Sequence, residues 1–542
     1  ILFVDAQAKL TQNQPEHALA LVESLHARNP NFMGLNDLLG KLVNRLTGAA
    51  VAAADFRQAR FFIKRAGRLN ANHPAVVDWT DRLTQQGRDL LQQAIAAESA
   101  GDRRKACDLA EQTARVWPNL QELVTPYARI SNRWQRLRVG VVDLAAVNPS
   151  PNLLVPGYAD IRQRQLTSAP MFQPFRLDDR VVRFKSRFLT DWEPRDLGHT
   201  VHMRLRPWQM SADSQPLLTA FDLSQMFADR ILPGNPKYDA RLGAMVERVE
   251  IDGPFEVSIH LAQVPLRPEV LLALPVETRS VDTGDGESDT PASLGSSSAA
   301  FPFLPESSTA DTRDYRRSFQ QPDGLPEYHV AEVIERQYPD YESAIQGIMR
   351  GDVVFLPRIP LSTIRQLEPR KEYFVQAYAL PTTHFLSLNH RRPVLRLRSF
   401  RRALVYALDR TRVLQDVFLN EPPGELGRLT SAPWATRSYA YSPVVPPHQF
   451  DVSLAFSLAH TAERELDAPL PELKVLCPSD PEIVAACQAI LAAWKRIGVQ
   501  ATLTTLGPND PAPSVVGDDW DIVYRATTLA EPAAELAPLL TH

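Results

Sequence analysis

The chain has few of the residues that build metal sites or disulfide scaffolds. Only three cysteines occur in 542 residues, Cys107, Cys477 and Cys487, and no pair has the C-x-x-C spacing of a zinc or redox site. A disulfide between Cys477 and Cys487 stays open. However, the first falls in a strand pattern and the second in the helical pattern that follows, and free cysteine packs as a small buried hydrophobe. Two buried thiols are therefore the expectation. No run of about 18 apolar residues occurs, so no membrane-spanning helix is expected. Neither sign of charge dominates: 59 basic against 63 acidic residues leave −4, which gives no general pull toward nucleic acid or an anionic membrane. Catalytic signatures are missing as well, with no G-x-S-x-G and no H-E-x-x-H. The nearest phosphate-loop lookalike, GLNDLLGKL from Gly34, has one residue too many between its glycines and lies in a helical pattern. His199 and His202 fall on opposite faces of a strand, so no shared metal is expected. No cofactor is expected.

What is present is ordinary globular composition, 44% hydrophobic and 23% charged, punctuated by 45 prolines. At this length two or three structural units are expected. Residues 1–131 read as helix after helix. Three stretches, from Gln14, Ala54 and Gly101, carry small or apolar residues at helical spacing and close on Pro30, Pro74 and Pro118, 44 residues apart in both intervals. The last unit, with helices over 87–100 and 103–117 around the turn Gly101-Asp102, resembles a tetratricopeptide repeat. Stacked helix pairs of this kind form a scaffold that docks a protein partner. A plain helical bundle is the alternative.

The texture changes at Arg136. RLRVGVVDL (136–144) alternates and is β-branched, as a strand does. RFKSRFL (183–189), HTVHMRLR (199–206) and RVEIDGPFEVSIHLA (248–262) are further strands, and LLTAFDLSQMFADRIL (217–232) is a helix. Residues 277–313, rich in Ser, Thr, Asp, Gly and Pro, read as a disordered insertion; the acids of DTGDGESD lack the spacing of a tight calcium loop. Two β-α-β units follow. One runs from EYHVAEVIERQY through the helix YESAIQGIMR, stopped by Gly351, to the strand DVVFL. The other runs from ELKVLC through a helix capped by Asp480-Pro481 to VQATLTTL, with Ile483, Val484, Cys487, Ile490, Leu491, Trp494 and Ile497 on one helix face.

The strongest local signal is residues 385–419. A strand ends at Asn389, a basic crossing through Pro393 follows, and a helix carries Phe400, Ala403, Leu404, Ala407 and Leu408 on one face. The arginines of the crossing, Arg391, Arg392, Arg396, Arg398, Arg401 and Arg402, read as solvated. Without interleaved aromatics they make no nucleic-acid platform.

This segment resembles the family 5 solute-binding proteins, the binding components of oligopeptide, dipeptide and nickel importers. Their signature helix is matched by Arg401, Ala403, Leu404, Ala407, Leu408, Asp409 and Arg410. Five further stretches resemble the family in the same order: 136–143, 199–223 (through Leu205, Arg206, Thr219, Ala220 and Asp222), 344–356, 427–434 and 494–503. The resemblance implies a two-lobed α/β module of the type II periplasmic-binding-protein kind behind the all-α repeats. Its lobes are expected at 132–385 and 386–542, with return strands of the first lobe beyond His542. It implies a non-enzymatic protein outside the cytoplasm, with a leader or anchor upstream of Ile1, that holds a small solute, peptides included, for an ABC permease.

The family's peptide-binding members hold the peptide's ammonium with an aspartate in a strand-loop matched here by YRATTLAEP (524–532). Tyr524 takes the Gly place, Arg525 the Trp place and Thr528 the Asp place. Thr528 cannot pair a buried ammonium, and Arg525 favours a carboxylate or phosphate. Tyr524, Arg525 and Thr528, with Glu531 and Trp434, are the ligand-binding candidates; Asn389 and Asp409 are expected to brace the fold. Two readings stand beside import: a scaffold or sensor whose repeats dock a partner while the pocket is degenerate, and, more weakly, a hydrolase.

Overall fold

The structure is a computed structural model. It describes residues 1–146, 157–168, 170–178, 181–207, 216, 218–235, 237–276, 303–317, 330–367, 372–376, 382–424, 426–432, 434, 436, 438, 440–507, 510 and 519–527. The chain forms two compact units, the first built from Ile1–Arg136 with the short segment Pro326–Ala331, the second from Leu137–Leu325 and Glu332–His542.

The first unit is helical: α1 (Leu2–Thr11), α2 (Pro15–Arg28), α3 (Leu35–Ala52), α4 (Phe56–Gly67), α5 (Pro74–Ser99), α6 (Arg103–Val116) and α7 (Val124–Arg133). Residues at helical spacing supply its core, among them Leu19 and Val22 of α2, Leu39, Leu42 and Leu46 of α3, and Phe62 of α4. Asp55 and Asp102 cap α4 and α6, accepting from the backbone N–H of Gln58 and Lys105. Gly101 takes the left-handed turn between α5 and α6 at φ +83°. Polar ties join the helices: Arg65 grips Glu23 with two bonds of 2.5 and 2.6 Å, and Arg129 and Arg133 of α7 converge on Glu98 of α5. One expectation is corrected here. Pro74 does not close a repeat. It sits at the first position of α5, where its fixed φ and missing N–H suit a helix start, so 87–100 is the second half of a 26-residue helix rather than a helix of its own.

The second unit opens with β1 (Gln135–Val141) and α8 (Tyr158–Thr167). Next come β2 (Gln173–Asp178), β3 (Val181–Lys185), β4 (Leu189–Arg195), β5 (Thr200–Leu205), α9 (Ala220–Ile231), α10 (Ala240–Met245), β6 (Val246–Gly253), β7 (Glu256–Leu261) and α11 (Pro268–Leu271). Strands β4-β5-β7-β6 form an antiparallel sheet in that order, and β2 pairs with β3. The sheet buries Val201, Met203, Leu205, Val257 and Ile259 with Leu223, Met226 and Phe227 of α9, a helix started by a reciprocal Thr219–Asp222 capping box. Residues 248–262 are not one strand. Gly253-Pro254 breaks the run, since proline has no N–H for the ladder, and the halves fold back as β6 and β7.

Two further sheets carry the rest. β8 (Phe303–Ser308), β9 (Thr312–Arg317) and β10 (Val330–Gln337) join β1 in the order β1-β10-β9-β8. The reading of 277–313 as loop is corrected at its end: 303–308 and 312–317 are a hairpin, because Arg313 and Tyr315 turn inward and are buried. Residues 277–302 lie outside the described residues. After β10, α12 (Tyr341–Arg350) ends on Gly351 at φ +76°. The expected strand DVVFL reduces to one parallel bridge, Phe355 on Val139. Pro357, two residues on, has no N–H to extend the ladder.

The last sheet runs β11-β14-β12-β13. It follows α13 (Leu361–Leu367) and comprises β11 (Thr383–Leu388), β12 (Leu473–Pro478), β13 (Ala501–Leu506) and β14 (Ile522–Thr527). β12 is parallel to β13 and β14, and β11 is antiparallel to β14. Between β11 and β12 lie α14 (Pro393–Arg396), α15 (Arg398–Tyr406), α16 (Arg410–Val413), a π turn over Leu414–Leu419, and α17 (Val452–Leu466); α18 (Pro481–Lys495) joins β12 to β13. Phe400, Ala403 and Leu404 of α15 pack with Ile483, Cys487, Ile490 and Trp494 of α18 against this sheet, and the Trp494 indole donates to Leu404 O at 3.0 Å. The crossing arginines are not simply solvated. Arg392 pairs with Asp521 at 2.5 Å, Arg401 donates to Leu395 O and Arg396 O, and Arg396 donates to His390 O. Among the described residues no helix is long and apolar enough to cross a membrane.

Candidate functional site

The ends of β1 and β12 face one another across a polar seam. On one side are Gly140–Asp143 at the end of β1, Tyr341 at the start of α12, and Arg358, which follows Phe355. The carbonyl of Phe355 accepts from Gly140 N–H at 2.9 Å, so the base of Arg358 is anchored to β1. On the other side is the N-terminus of α18. Asp480 caps it, accepting from Glu482 and Ile483 N–H. Across the seam Arg358 donates to Asp480 Oδ2 at 2.8 Å and Glu482 Oε2 at 2.5 Å, and the Tyr341 hydroxyl donates to Asp480 Oδ2 at 3.1 Å. The guanidinium lies 3.8 Å above the centre of the Tyr158 ring of α8, within cation–π range. Arg162 of the same helix donates to Glu335 and to Asp143 O, both at 2.7 Å. Asp143, Tyr158, Arg162, Tyr341, Arg358 and Asp480 line a cavity of about 30 Å³, and since a water needs roughly 10–15 Å³ by this measure, it admits about two.

Burial governs the charges. It pushes the Asp143 carboxyl up, with Asp480 adding to the effect, and pushes Glu482 up against the pull of Arg358. It raises the Tyr158 phenol to about 12. Burial pulls the Arg358 guanidinium down, but Tyr158, Asp480, Tyr341 and Glu482 together outweigh it and hold its pKa above the ordinary value. Behind the seam His384 of β11 is held neutral: burial, then Arg358, lowers it to about 4. Its Nδ1 is 2.9 Å from the Tyr524 hydroxyl, and its ring packs 4.7 Å from Phe418.

The sequence-derived candidates fall in different places. Tyr524 is buried in the core of the last sheet with only its hydroxyl turned to His384. Arg525 is on the opposite face of β14, the face of Val523, so the structure does not bring these two side chains together. Burial lowers the pKa of Arg525, and its Nε has no hydrogen-bond partner among the described residues. Trp434 is half-buried in the loop after the π turn, and its Nε1 is likewise without a partner. Thr528 and Glu531 lie outside the described residues. Asn389 does brace: its side chain bonds Trp520 O and Arg391 N–H. Asp409 caps α16 through Arg412 N–H. Cys477 and Cys487 are buried free thiols, and no cluster of metal-ligating residues occurs among the described residues. Sequence reasoning missed Arg358, Tyr158, Tyr341 and Glu482. Only the Asp480-Pro481 cap pointed toward the seam.

Comparison with known proteins decides the family. Residues 184–535 match the bacterial extracellular solute-binding proteins, family 5 middle domain, over more than half of the chain. The chain belongs to the family 5 bacterial extracellular solute-binding proteins. Solved structures place this family 5 protein in the type II periplasmic-binding-protein fold. The oligopeptide-binding protein AppA of Bacillus subtilis, in complex with a nonapeptide, matches at TM-score 0.55 and 16% identity, covering 73% of this chain and 79% of its own. DppA of Helicobacter pylori, an ABC transporter-associated periplasmic binding protein in complex with the peptide STSA, matches at 0.56 and 14%, covering 76% and 81%. NikZ of Campylobacter jejuni, in complex with Ni(L-His), matches at 0.53 and 15%, covering 74% and 81%. No curated protein sequence matches the family 5 protein at a significant level.

Proposed function

We propose that this family 5 protein is the extracytoplasmic solute-binding component of an ABC importer, and that it holds a small carboxylate-bearing solute, short peptides included, between the sheets β1-β10-β9-β8 and β11-β14-β12-β13. The family match over 184–535 carries the reading. Binding is reversible and makes no bond; closing the two sheets over the solute by hinge motion produces the form a permease recognises. The solute's carboxylate pairs with Arg525. The support is chemical: a half-buried guanidinium whose Nε has no hydrogen-bond partner among the described residues and a threonine, Thr528, in the family's aspartate place favour an anionic over an ammonium group. Trp434 and Glu531 complete the proposed contacts, whereas the Tyr524 hydroxyl is turned to His384 on the other face of β14.

The test is a thermal-shift screen of the full chain against di- and tripeptides, dicarboxylates and metal–histidine complexes. Carboxylate solutes are expected to raise Tm in the wild type. Arg525→Ala should abolish at least nine-tenths of that affinity, as loss of a charged hydrogen bond predicts at about 1.5–3 kcal/mol. A shift from metal–histidine alone, or one indifferent to Arg525→Ala, contradicts the assignment.

One observation favours a second reading. The described cavity is water-sized, as a degenerate pocket would be in a scaffold or sensor whose helical unit docks a protein partner. Failure of every solute class in the screen favours that reading.

A further inference from the structure

The seam is closed mostly by charged and polar contacts, with Tyr158 of α8 the apolar side chain that reaches the far cluster. The buried apolar groups on its two sides fall into separate clusters, Tyr338, Ala344 and Val353 on one and Val475, Ile483 and Trp494 on the other. Among the described residues, the Arg358 fork on Asp480 and Glu482, partners 122 and 124 residues away, crosses between them with the Tyr341–Asp480 bond beside it, joined by an Asp143–Ser479 hydrogen bond and the Tyr158 ring. The ion pair is largely withdrawn from water, with side chains 23%, 7% and 15% exposed.

We propose that the Arg358 fork, gripping Asp480 and Glu482 across the gap between the two sheets, is a latch that holds the solute-free cleft shut and must let go before a solute enters. The inference rests on the solute-binding reading above.

A buried ion pair of this kind adds little net stability over an apolar contact, because desolvation offsets most of the attraction. Stranding one partner, however, is costly. The seam therefore has two low-energy arrangements: fork engaged, or sheets apart with all three charged groups in water. Intermediate openings leave a desolvated charge unpaired. The apparent affinity for a solute is then scaled by the fraction of molecules with the fork released. Tyr158 stacks on the guanidinium in the engaged position.

The experiment needs no solute. Nitroxide labels at Gln346→Cys on α12 and Gln488→Cys on α18, both exposed positions, report the separation of the two sheets by pulsed dipolar spectroscopy on the full chain; Cys107, Cys477 and Cys487 are buried. The wild type is expected to give one short, narrow distance. Arg358→Met, which keeps the apolar stem, should raise the longer-distance population at least about tenfold from the few per cent typical of a minor state. Asp480→Asn is the second variant. Asparagine caps a helix as well as aspartate does, so α18 stays formed while the charge is lost, and the same shift is expected. Unchanged distances in both variants, or a wild type already at the longer distance, overturn the latch. A released fork in a protein that binds no solute leaves the latch standing and sinks the solute-binding reading instead.

Discussion

At the scale of single residues the buried titratable groups give the sharpest expectations. His384 is held near 4 by burial and by Arg358, against 6.5 in the unfolded chain. The unfolded state therefore takes up its proton first as pH falls. Stability is unaffected above about 6.5, drops through the window from 6.5 to 4, and changes no further from this group below 4. The full effect is about 3 kcal/mol, at roughly 1.4 kcal/mol per pKa unit. Denaturant unfolding at pH 7 and pH 4.5 should show most of that loss in the wild type and a much smaller one in His384→Gln. Asp521 is a second case, 2% exposed and bound by Arg392 and by Lys474 N–H. Asp521→Ala should cost about 3–5 kcal/mol, the range for a broken buried ion pair. The bracing by Asn389 was legible from its place in the 385–419 pattern. Asp521 was not, because its arginine partner is 129 residues away and no local pattern marks such a pair.

At the scale of elements, legibility followed period and punctuation. The apolar face of α18 was readable from spacing, and Ile483, Cys487, Ile490 and Trp494 are buried as that spacing implies. Asp480-Pro481, Gly351 and Gly498 marked element ends that the structure keeps. Three expectations failed where local pattern and tertiary pairing disagree. An apolar run that meets its partner strand only briefly stays mostly irregular, as DVVFL does with its one bridge to β1. A Gly-Pro inside a long alternating run is a turn, as at 253–254. A Ser/Thr-rich tail forms a hairpin once Tyr315 has a core to enter. Trp494→Ala removes a buried indole that also bonds Leu404 O, and chemical denaturation should register about 3–5 kcal/mol. Gly347→Ala should destabilise α12 even though alanine is the better helix former, because an added Cβ would overlap the Tyr338 ring. A Tyr338→Ala background should relieve that penalty, whereas equal costs in both backgrounds would place the strain elsewhere.

At the scale of the whole molecule, the family and the α/β sheets of the second unit were legible because six modest patterns occur in family order. The candidate site was not. Its seam joins β1, α8, α12, the Arg358 segment and α18, five segments brought together only by sheet formation, and its key guanidinium sits in no motif. Of the five candidate contacts, Thr528 and Glu531 lie outside the described residues, and Tyr524 and Arg525 occupy opposite faces of one strand. The central claim is that this protein carries a small solute between the sheets β1-β10-β9-β8 and β11-β14-β12-β13. Native mass spectrometry of the full chain, purified without denaturation, tests it most directly. The account predicts a bound species of a few hundred daltons, the mass range of a short peptide, that collisional activation releases and that is absent from Arg525→Ala. A wild-type spectrum at the bare polypeptide mass, unchanged after adding the peptide and dicarboxylate mixtures, would contradict it.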